Sequence, residues 1–75
     1  MEITGYITRL IAPEGSFGER IFFRPDQGQD DTIRQLDGKH KAGYGAEIIV
    51  AAPIARRKIG EAIKVALRDG ELVVV

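Results

Sequence analysis

The chain has no cysteine, no tryptophan, one histidine and one methionine among its 75 residues. Without cysteine there is no disulfide, no thiolate nucleophile and no cysteine-bound zinc to reinforce a small fold. No serine sits in a nucleophile motif, so no catalytic residue is expected and the chain reads as a non-enzyme. Asp26, Asp30 and Asp31 lack the spacing of a metal loop, and no metal or other cofactor is expected. Long apolar runs are missing too, none approaching the roughly 18 residues of a membrane span. The opening MEITGYITR has no basic start leading into an apolar stretch, so a signal peptide is not expected either. Together these absences point to a cytoplasmic protein with no membrane partner.

What is present is enough for one domain, residues 1–75, with a small core. At this size folding alone is marginal, and pairing into a homodimer is an expected way to bury more surface. Eleven basic residues balance eleven acidic ones. The balance is uneven along the chain: residues 1–37 hold four arginines against seven carboxylates, and residues 38–75 hold seven cations against four. Such asymmetry can mark a basic binding face, or only the scatter of a solvated surface.

Glu2–Ala12 is rich in Ile, Thr and Tyr and reads as a strand, with Gly5 as its bulge. Pro13–Ser16 is turn material, and Phe17–Arg24 reads as the returning strand of a hairpin. Pro25–Asp31 is an exposed polar loop. Thr32–Leu36 fits either a helical turn capped by Asp30 or Asp31, or part of a third strand.

The last thirty residues admit two readings. In the first, Glu47–Ala52 is a strand, Pro53–Arg68 a helix and Glu71–Val75 a strand. Ile54, Ala55, Ile59, Ala62, Ile63, Val65 and Ala66 then share one half of the helical wheel. Pro53 suits the first turn and Gly70 the residue past the end. In the second, Ala62–Val75 is a hairpin turning at Asp69-Gly70, which removes the cost of Gly60 in mid-helix. Density in Ala, Arg, Lys, Glu and Leu favours the helix. The expected fold is therefore α+β: an N-terminal hairpin and a strand–helix–strand unit forming one twisted sheet with the helix packed on it. The alternative is an all-β small barrel with a C-terminal hairpin.

Candidate contacts follow from charge and glycine. In Gly38–Gly45, glycines let backbone N–H groups approach a phosphate, with Lys39, His40, Lys41 and Tyr44 beside them. Arg56, Arg57 and Lys58, at the start of the expected helix, can neutralise phosphates although the helix dipole disfavours cations there. Phe22 and Phe23 point to opposite faces of a strand. One belongs to the core, and the other can be a base-stacking platform flanked by Arg20 and Arg24. These residues support a nucleic-acid-binding regulator. An apolar Leu72–Val75 edge supports a second reading, a protein–protein module pairing with a partner strand.

Met1-Glu2-Ile3-Thr4, Thr32–Gly38, Ala52-Pro53-Ile54 and Lys58–Ile63 resemble segments of the stage V sporulation protein G (SpoVG) family. That resemblance implies a small α/β domain with one long helix, dimeric and regulatory, binding DNA or RNA. The chain departs from the pattern by being shorter between Gly38 and Pro53 and by appending Glu71–Val75. GYITRLIAPEGSFG also resembles a cold-shock strand and turn.

Overall fold

The computed structural model describes residues 2–29, 31–33 and 47–75. Five strands form one antiparallel sheet: β1 (Glu2–Ile11), β2 (Arg20–Pro25), β3 (Ile48–Ala51), β4 (Ala62–Arg68) and β5 (Glu71–Val74). Their spatial order is β3-β2-β1-β4-β5. Three consecutive strands lie side by side and the fourth returns beside the first, which is a Greek key. The sheet curls until β3 and β5 approach one another, giving a half-barrel.

The expected α+β arrangement is thus corrected to an all-β one. No helix occupies Pro53–Arg68, nor do the residues resembling the SpoVG helix form one. Residues 53–61 are turns, and Ala62–Arg68 is β4. The only described helical residues are 31–33, a single turn that places Ile33 in the core. Alternation decided the outcome: Ile63 and Val65 point inward while Ala62 and Lys64 face water. Helix propensity is a fraction of a kcal/mol per residue, and burying two β-branched side chains in a sheet outweighs it. Asp69 and Gly70, both at positive φ (52° and 81°), close the two-residue turn into β5.

β1 is the hub. Residues Glu2–Tyr6 pair with β4, and Gly5–Ile11 with β2. The core is almost wholly β-branched: Ile3, Ile7, Ile21, Ile33, Ile48, Val50, Ile63 and Val65, with Phe23. Gly5 does not form a bulge. It lies where the strands approach closely, since a Cβ there would stand 2.3 Å from the Arg24 carbonyl oxygen. The register shift falls instead between Ile7 and Arg9. One extra residue reverses the parity of the strand, so Leu10 now turns to the core and Arg9 to the outside.

Candidate nucleic-acid interface

That reversal builds a row across the outer face. Arg9 stands opposite Phe22, and Phe22 opposite Ile49, so one rung on each of three adjacent strands faces out. The Arg9 guanidinium lies 5.2 Å from the centre of the Phe22 ring. Cations are attracted to the ring's negative face, which holds both side chains in a flat array. The next rungs are Tyr6 opposite Arg24, and Ile11 opposite Arg20.

Phe17 extends the array beyond the strands. Glu14 and Phe17 exchange two main-chain hydrogen bonds of 2.9 Å, closing a tight turn over Gly15-Ser16. Phe17 is 63% exposed, and the Arg20 guanidinium sits 5.1 Å from its ring centre. The Nε groups of Arg20 and Arg24 are covered and have no hydrogen-bond partner among the described residues. Their stems therefore lie along the sheet with the charged ends outermost. Arg24 makes a loose ion pair, 3.9 Å from Glu47. Ile49, half exposed at 49%, completes an apolar surface that no described side chain covers.

The basic triplet sits elsewhere than at a helix start. Arg57 N–H donates to the Ile54 carbonyl at 3.0 Å and Glu61 N–H to the Lys58 carbonyl at 3.1 Å, making two successive turns. Arg56 occupies the third position of the first turn at φ 67°, and Gly60 that of the second at φ 90°. Gly60 and Glu61 both oppose Ile7: Gly60 N–H donates to its carbonyl at 2.7 Å and its N–H to Glu61 O at 2.9 Å. This is a glycine bulge, and it explains a glycine that a helix would not want. Arg57 is bound to Glu61 by a 2.6 Å charged hydrogen bond, and the Lys58 N–H donates to the same carboxylate at 3.1 Å. Both hold the Glu61 carboxyl below its ordinary value, the Arg57 hydrogen bond most. Arg57 thus braces a loop, while Arg56 and Lys58 project as exposed charges.

Lys39, His40, Lys41 and Tyr44 lie outside the described residues. The outer face instead assembles Phe22, Arg20 and Arg24, which the sequence had marked, with Arg9, Phe17 and Ile49, which it had not. Arg9 was missed because the bulge that turns it outward leaves no signature in ITRLI. Among the described residues no cluster of His, Asp or Glu is placed to hold a metal ion. No described helix is long and apolar enough to cross a membrane. Compared with family models, curated proteins and solved structures, the chain matches none.

Proposed function

We propose that this protein binds nucleic acid through the outer face of β1, β2 and β3, and acts by binding rather than by catalysis. The row Arg9–Phe22–Ile49 carries the reading. Aromatic rings on a sheet surface stack on bases of any sequence, and arginines beside them take the phosphates. A partly open five-stranded Greek-key barrel is also the architecture on which oligonucleotide-binding folds present this face. That is support by analogy, since a fold hosts many functions. The chain's overall neutrality limits long-range attraction. Affinity then rests on stacking, with a log–log salt slope of about −2 for three arginines on a single strand.

Fluorescence anisotropy with labelled single-stranded DNA, RNA and duplex DNA, at low and moderate salt, tests this. Phe22→Ala is expected to weaken binding about tenfold, the loss of one stacked base. Equal binding by wild type, Phe22→Ala and Arg9→Ala, or no binding at low salt, would overturn the assignment.

A second reading has one observation in its favour: among the described residues, β3 and β5 are each paired along one edge only. A partner strand, including one from a second copy, would add there. Light scattering that finds a monomer at high concentration removes the second copy from consideration.

A further inference from the structure

The outer face also has a concavity. Between β1, β4 and the end of β5 lies an open groove of about 440 Å³, in the size range of a small-ligand site. Its lining includes the small residues Thr4, Gly5 and Ala62, with the aliphatic Val74 and Val75. Lys64 and Arg57 bring positive charge to it, and Asp26 a carboxylate. Arg57 is held by Glu61, but the Lys64 ammonium and the Asp26 carboxylate have no partner among the described residues.

The groove adjoins the aromatic surface through one residue. Tyr6 has Arg24 as its neighbour on β2 and Ala62 as its neighbour on β4. A strand stacked across Phe22 that continued over Tyr6 would arrive at Ala62.

We infer that this groove takes one nucleotide with an amino-bearing base, resting on the reading of the outer face given above. The base lies against Thr4, Ala62 and Val75, whose short side chains leave room for a flat ring. Its exocyclic amino group donates to the Asp26 carboxylate, the pairing by which an acidic side chain reads cytosine. The phosphate meets Lys64, a compact point charge without a competing partner. Uracil and thymine offer a carbonyl where Asp26 needs a donor, so the groove discriminates against them. The nucleotide can come from within a strand or as a free monophosphate, and the chemistry of recognition is the same.

Two measurements test this. Amide shifts of ¹⁵N-labelled protein are followed during titration with cytidine monophosphate, uridine monophosphate, oligocytidylate and oligouridylate. Saturable shifts at Thr4, Ala62 and Lys64 with the cytidine ligands, several-fold weaker with the uridine ones, are expected. Shifts with the monophosphate identify a free nucleotide as sufficient, and shifts with the oligomer alone place the nucleotide within a strand. In parallel, Ala62→Phe fills the groove at an exposed strand position, and Asp26→Asn removes the anionic acceptor. Ala62→Phe is expected to weaken oligocytidylate binding about tenfold, and Asp26→Asn to bring cytidine and uridine oligomers to parity. Equal affinity for both oligomers in the wild type overturns the assignment to Asp26. Shifts at Phe22 without any at Thr4, Ala62 and Lys64 overturn the groove while leaving the aromatic face in place. No shifts at either region overturn both.

Discussion

The side-chain amide of Gln29 pairs with both main-chain polar groups of Thr4, as a neighbouring strand would. Its Oε1 accepts from the Thr4 N–H at 2.9 Å, and its Nε2 donates to the Thr4 carbonyl at 2.9 Å. The same Nε2 also donates to the Asp26 carbonyl at 2.9 Å, and the Thr4 hydroxyl to Oε1 at 3.2 Å. A side chain thereby continues the β1–β2 ladder one step past the end of β2. Removing it in Gln29→Ala leaves the Thr4 N–H without a partner and should cost about 1–3 kcal/mol. Gln29→Glu keeps the acceptor but sets a carboxylate oxygen against the Thr4 and Asp26 carbonyls, so it should be no more stable than Gln29→Ala. Urea unfolding of the three proteins measures this order, and equal midpoints would show that water replaces the clamp.

Gly60 and Arg56 share a left-handed backbone but not the means to adopt it. Gly60→Ala introduces a Cβ at φ 90° and should destabilise by about 1–2 kcal/mol. Arg56→Gly relieves the same strain at φ 67° and should be neutral or stabilising by up to about 1 kcal/mol, once the extra freedom of the unfolded glycine is counted. Opposite signs in thermal unfolding are the expected result, and matching signs would contradict it.

At Gly5 the argument is steric. An added methyl would meet the Arg24 carbonyl oxygen at 2.3 Å and the Phe23 ring at 2.9 Å. Backbone cannot yield as a flexible side chain does, so β1 and β2 must separate. Gly5→Ala should cost about 3 kcal/mol, at the upper end for overpacked cores. A variant as stable as the wild type would mean that the two strands part more easily than their packing suggests.

The Glu61 carboxyl titrates below its ordinary value of 4.5, chiefly because the Arg57 side chain donates to it and then because the Lys58 N–H does. A depressed folded value means that the carboxylate's contribution is complete above pH 4.5 and is lost as pH falls through the lowered value. Wild type should therefore exceed Glu61→Gln in stability near neutrality, with the difference vanishing in acid. A difference constant down to pH 2 would assign the effect to packing instead. Arg57→Ala should resemble Glu61→Gln, whereas Arg56→Ala and Lys58→Ala should leave stability near that of the wild type.

Much of the sheet was legible in the residues themselves. The Ile, Thr and Tyr of EITGYITRLI and the turn residues after it place the first hairpin, and IFFR already sets Phe22 and Phe23 on opposite faces. The segment from Pro53 to Arg68 was misread because its composition suits a helix. Ile63 and Val65 also fall on the apolar half of a helical wheel, so the two periods could not be separated there. Gly60 and Asp69-Gly70 held the contrary signal, which local propensity alone could not weigh against pairing with a strand sixty residues away. The interface was half legible for a related reason. Arg20 and Arg24 flank Phe22 by alternation, but Arg9 reaches it through a bulge that depends on tertiary pairing.

The central position of β1 has a consequence for how quickly the chain can assemble. Glu2 pairs with Ala66, 64 positions along the chain, while its other ladder is a nearby hairpin. Closing so long a loop must precede any reward from the contacts it makes, which places this topology among slow folders, milliseconds to seconds rather than microseconds. Until β4 arrives, β1 and β2 present Ile3, Ile7, Ile21 and Phe23 to water on one side, and one edge of β1 has no partner. Such an intermediate can pair with another copy of itself, so yield on refolding should fall as protein concentration rises, even though the finished sheet closes over the same residues.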